Sequence, residues 1–83
     1  MSTSPTIDRA ILRYLRREGE PRTEARIGTD IGCSSGWVAD AMRRLEALVL
    51  VEHVPLPENH GRAGFAWRLT HEGRIRAAEA RAA

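Results

Sequence analysis

Only three residues, Gly32-Cys33-Ser34, separate two stretches of helical periodicity, and so short a link dictates how the two helices meet. Upstream, Thr23 offers a hydroxyl to cap a helix over about 24–31, with Ile27 and Ile31 one turn apart on its buried side. Gly32 closes that helix, because glycine takes the left-handed conformation that terminates helices. Ser34 or Ser35 then caps a helix over about 35–48, whose inner face carries Val38, Ala41, Met42, Leu45 and Leu48. Helices joined by so tight a turn cross steeply rather than lie antiparallel.

The flanks supply the rest of a small fold. Ser4-Pro5 reads as a helix start, and Ile7, Ala10, Ile11, Tyr14 and Leu15 make one stripe of a helix over about 5–18 that Gly19 ends. Pro21 and Arg22 form a short link. After Leu48 the texture changes: residues 49–54 are rich in β-branched and apolar side chains and predict a strand. Pro55 to Gly61 cannot continue it and reads as an exposed loop. Phe65, Trp67 and Leu69 then alternate with Ala66 and Arg68, the period of a half-buried strand with Trp67 in the core. A hairpin is therefore expected over about 49–69. Thr70 caps a last helix over about 71–81, whose only large apolar residue is Ile75. The expected class is mostly α with a small β-hairpin: a three-helix core, the hairpin, and a C-terminal helix.

Composition excludes several functions. Eighty-three residues suffice for one domain, expected to span 1–83, and 42% apolar with 29% charged residues suits an ordinary globular chain. No apolar run is long enough to span a membrane, and Met1 to Pro5 lacks a signal-peptide core, so a cytoplasmic protein is expected. A single cysteine, Cys33, agrees with a reducing compartment. His53, His60 and His71 share no metal-ligand spacing with it, so no metal site is expected, and Cys33 is read as filling the apolar slot after the turn glycine. No phosphate loop, nucleophile elbow or paired-carboxylate constellation is present, so neither enzyme activity nor a cofactor is expected.

Charge is uneven along the chain. All 13 basic side chains are arginine, the residue suited to forked contacts with phosphate or carboxylate. Residues 1–26 carry a net +2, residues 27–61 a net −3, and residues 62–83 a net +3. Arg9, Arg13 and Arg16 line the outer side of the first helix, as a solvated face or as a surface for phosphate or a partner.

With the element order complete, the chain resembles the winged helix-turn-helix superfamily. Thr23 to Gly28 followed by Gly32-Cys33-Ser34 looks like the first helix and turn of that motif, with small Gly28 letting the helices approach and Val38 as the apolar anchor. The run from Arg43 to Glu52 is similar to the "RRLEALGLVE" run of MarR-like and PadR-like bacterial regulators, with Val49 where glycine is common. Gly61-Arg62 through Leu69-Thr70-His71-Glu72-Gly73-Arg74 looks like their wing and its "LT-x-x-G-R" exit.

The resemblance implies a regulator of transcription that binds double-stranded DNA as a homodimer, pairing through the first and last helices. The third helix would enter the major groove and the wing would reach minor groove or backbone. Position by position, the DNA-binding residues implied are Ser34, Ser35, Gly36, Trp37, Asp40, Arg43 and Arg44, with His60 and Arg62 on the wing. Asp40 would meet phosphate repulsion unless it accepts from a cytosine amino group. The acidic balance of 27–61 and the position of Trp37, one place before Val38, leave an alternative: a protein-interaction module, adaptor or phage-type inhibitor, that uses the third helix and Trp37 against a protein.

Overall fold

The computed structural model describes residues 5–56 and 64–82. Four helices and one hairpin follow in the order α1 (Pro5–Glu18), α2 (Glu24–Ile31), α3 (Ser35–Ala47), β1 (Val51–Pro55), β2 (Phe65–Leu69) and α4 (His71–Ala82). The expected class, mostly helical with a small antiparallel hairpin and a C-terminal helix, is the class observed.

α1 is the hub, because α2, α3, α4 and β2 all pack on it. It therefore buries a wider stripe than its sequence predicts: Ile11, Leu12, Tyr14 and Leu15 are buried, and Leu12 was not on the expected face. Ile27 of α2 and Val38, Met42 and Leu45 of α3 complete the centre of the core. Each such side chain contributes roughly 1.5–3 kcal/mol by leaving water.

Leu48 departs from expectation. Helical spacing puts it on the inner face of α3, yet the helix ends at Ala47 and Leu48 is 60% exposed. The chain turns sharply after Leu48, and Leu50 takes the buried place against the core instead.

That turn also delays the strand, which begins at Val51 rather than residue 49. β1 and β2 pair antiparallel with Val51 opposite Leu69, His53 opposite Trp67 and Pro55 opposite Phe65. Pro55, expected in the loop, is the last residue of β1; among the described residues β2 is the one strand beside it, so the missing N–H disrupts no second ladder there. Arg22 is more than a link: its backbone N–H and C=O bond to the C=O and N–H of Trp67 at 2.9 and 2.7 Å, adding a one-residue bridge to the sheet. Trp67 is buried, but Phe65, two residues earlier on the same face, is 45% exposed.

Packing of α4 also differs from its sequence reading. Ile75, its only large apolar residue, is 45% exposed, whereas Ala77 and Gly73 are buried. Small residues let this helix lie close to its neighbours: a Cβ on Gly73 would fall 1.9 Å from the Leu50 carbonyl oxygen. Among the described residues no helix is long and apolar enough to cross a membrane.

Candidate nucleic-acid interface

Local chemistry sets the elbow between α2 and α3. Thr23 caps α2, its hydroxyl accepting from the Arg26 N–H at 3.1 Å. The helix ends at Gly32, whose φ of 74° lies where L side chains are disfavoured. The Gly28 carbonyl accepts from both Gly32 and Cys33 N–H groups, the latter at 2.8 Å. A Cβ on Gly28 would meet the Cys33 oxygen at 2.7 Å, so glycine there is what lets the turn fold back onto α2. Cys33 sits half-buried against the core. Ser34 opens α3, its hydroxyl accepting from the Trp37 N–H at 3.5 Å.

Two polar contacts hold these helices on α1. The Tyr14 hydroxyl donates to Asp30 Oδ2 at 2.5 Å, and Arg26 Nε reaches the same oxygen at 3.0 Å. Burial, then the bond to Asp30, pushes the Tyr14 phenol up. The Asp30 carboxyl is held below the usual carboxylate range by the Tyr14 hydrogen bond first and Arg26 second. On α3, Arg44 forks onto Asp8 of α1, with Nη2 to Oδ1 at 2.8 Å and Nε to Oδ2 at 3.3 Å. That carboxylate pushes the Arg44 guanidinium further up.

α3 buries Val38, Ala41, Met42 and Leu45, so the opposite side faces outward. Ser34, Ser35, Gly36, Trp37, Asp40 and Arg43 are all exposed, and the structure brings these six residues together. Ser34, Gly36, Trp37, Ala39 and Asp40 line one shallow concavity. Trp37 is 53% exposed. Arg44 stands apart, turned toward α1 and engaged with Asp8. His60 and Arg62 lie outside the described residues.

The hairpin is fastened to both helices of the elbow. Trp67 Nε1 donates to Glu24 Oε2 at 3.1 Å, and His53 Nδ1 lies 3.1 Å from Glu46 Oε2. The His53 ring packs on Phe65 and Trp67 with centroids 5.0 and 5.4 Å away. The sequence assigns no role to Glu24, Glu46 or Asp8, and weighs His53 only as a metal ligand. Asp8 lies 36 residues from its partner, and no local pattern announces such a pair.

α2 and α3 joined by a three-residue turn over the hub of α1, a hairpin fastened beside α3, and a closing helix define a winged helix-turn-helix fold. Solved structures carry the same arrangement. The chain superposes on a double mutant of Lactococcus lactis ZitR in apo form with a TM-score of 0.81 and 24% identity, over 94% of this chain and 56% of that one. A crystal structure of ZitR, described as a zinc-responsive MarR family member, gives 0.76 at 26% identity over 98% and 53%. Wild-type ZitR in complex with DNA gives 0.73 at 20% over the same shares. This chain thus spans just over half the length of the ZitR chains. No protein-family model matches the sequence, and no curated protein matches it.

Proposed function

We propose that this chain is a DNA-binding regulator of transcription, with α3 in the major groove and the hairpin tip on minor groove or backbone. The outward face of α3 carries this reading. Its six exposed residues are presented by an elbow fixed at both helix ends, and among the described residues Arg43 has no carboxylate partner. The likeness to a fold solved with DNA supports it. In this reading Arg43 and Arg62 neutralise phosphates, as do the amides at the start of α3, where the helix dipole is positive. Asp40 selects cytosine through its exocyclic amine. Arg44 braces α3 against α1 rather than reaching DNA.

Selection of bound duplexes from a random pool tests the proposal directly. With Arg43 and Arg62 neutralising two phosphates per chain, roughly four in a homodimer, log affinity falls against log salt with a slope near −3.6. Arg43→Ala weakens binding to every sequence and leaves the melting temperature in place. Arg44→Ala lowers the melting temperature first. Undetectable binding at roughly 50 mM salt, where phosphate contacts are strong, sinks the proposal.

Trp37 favours a second reading. An aromatic side chain 53% exposed on a face with one cation and one anion suits a protein interface. Under that reading Trp37→Ala abolishes capture of the partner, and Arg62→Ala matters little.

A further inference from the structure

The seam between α1 and α4 forms a second surface, distinct from the outward face of α3. A groove of about 550 Å³ follows it. Leu15, Leu69, Ile75 and Ala78 give the groove an apolar lining, and Ile75 is 45% exposed there. Arg16 and Arg74 stand around it beside Arg68, which is paired with Glu52 at 2.8 Å, and Glu20 is the one carboxylate among its lining residues. A neighbouring hollow of about 370 Å³ lies among Arg13, Arg16, Arg17 and Ala77, so Arg16 belongs to both. Among the described residues, Arg9, Arg13, Arg16 and Arg74 enter no ion pair, although most other arginines of the fold do. Arg9, Arg13 and Arg16 follow one another at one-turn intervals along α1. No carboxylate lies between Arg9 and Arg16 along α1.

We propose that the α1–α4 seam docks an acidic amphipathic helix of another protein, its apolar stripe on Ile75 and the groove and its carboxylates forked by Arg16 and Arg74. Guanidinium and carboxylate match in planar, two-bond geometry, which adds register to attraction. Apolar anchors between flanking charges are the pattern by which a groove takes a helix. A second copy of this chain, the pairing expected through the first and last helices, answers these arginines poorly: a two-fold interface sets the same patch against itself, and Glu20 is the one carboxylate among its lining residues. A nucleic-acid backbone would satisfy the arginines but has nothing apolar to cover Ile75.

The full chain is titrated with a labelled amphipathic peptide of roughly 15 residues, enough for several helical turns, with leucines at helical spacing and glutamates on both flanks. Control peptides replace the glutamates by lysine or the leucines by serine. The glutamate–leucine peptide binds saturably and the controls do not. Arg16→Glu with Arg74→Glu, and separately Ile75→Asp, each weaken it about tenfold or more, equivalent to about 1.4 kcal/mol. Arg16 and Arg74 are exposed, so far-ultraviolet circular dichroism and the melting temperature of that double variant stay as in the parent, while Ile75→Asp, which gives up a half-buried side chain, keeps the parent's circular dichroism. No saturable binding, or equal binding of the lysine peptide, overturns the proposal. Displacement of the peptide by a random DNA duplex reassigns the seam to phosphate. A dimer in sedimentation that Ile75→Asp dissolves reassigns it to self-association. Both results also overturn it. The α3 variant Arg43→Ala leaves peptide binding unchanged, which separates this surface from the proposed DNA face.

Discussion

α2 and α3 each end on a left-handed residue followed by an N–H that reaches back five positions, but the two left-handed residues are of opposite kinds. At the end of α2, Gly32 has φ 74° and the next N–H, of Cys33, reaches back to Gly28. At the end of α3, Val49 has φ 61°, its N–H bonds to the Glu46 carbonyl and the Leu50 N–H to the Leu45 carbonyl, both at 2.9 Å. Glycine enters this region freely, whereas an L side chain raises the energy by roughly 1–2 kcal/mol, with β-branched residues the least tolerant. The first turn is therefore specified by its own sequence, and the second is imposed by what surrounds it.

What imposes it is the start of α4. The Thr70 hydroxyl donates to the Val49 carbonyl at 2.6 Å and accepts from the Gly73 N–H at 3.0 Å, while the Thr70 N–H donates to the Leu50 carbonyl at 3.1 Å. Leu50 and Leu45 are both buried, which anchors the turn from inside. Strain persists only where neighbours over-determine the conformation, and here they do.

Substitutions at the two turns sharpen or break this contrast, and denaturant unfolding ranks them. Gly73→Ala is the most damaging, at about 3 kcal/mol, because its Cβ would overlap the Leu50 carbonyl and there is only backbone to move. Gly28→Ala follows at about 2 kcal/mol through the clash with Cys33. Gly32→Ala meets no atom within 4 Å, so it loses only the backbone term, about 1 kcal/mol. Val49→Gly reverses the sign. Relief of strain exceeds the added freedom of the unfolded chain, for a net gain of about 0.5–1 kcal/mol and a melting temperature higher by roughly 4 °C. A loss at Val49→Gly would show that the second turn is not strained.

The smallest effect concerns acid. The folded Asp30 carboxyl has a lowered pKa, so its bond with Tyr14 and Arg26 stabilises above about pH 4 and is lost as pH falls through the lowered value. Asp30→Asn therefore flattens the stability profile in that acid range.

The sequence discloses this fold wherever a feature is local. The Gly32 stop, a serine cap at 34 or 35 that the structure resolves to Ser34, the Thr70 cap and the buried positions of α3 up to Leu45 all follow from residue type and spacing. Illegible were features made by distant parts of the chain. Leu48 keeps helical spacing, yet the turn at Val49 throws it outward. Pro55 stays in the strand because β1 has a single strand neighbour. Ile75 looks like the anchor of α4, but close packing selects Gly73 and Ala77. Within the candidate interface, an outward face on α3 was legible from its period. The diversion of Arg44 to Asp8 was not, since its partner lies 36 residues away on α1 and no local spacing announces the pair.

Backbone amide shifts recorded while a selected DNA duplex is added map which side of the molecule meets it. The account predicts changes gathered at Ser34 through Arg43 and the hairpin, with α1 and α4 undisturbed around Arg16, Arg74 and Ile75. Changes centred on α1 and α4, with the α3 amides unmoved, would contradict it.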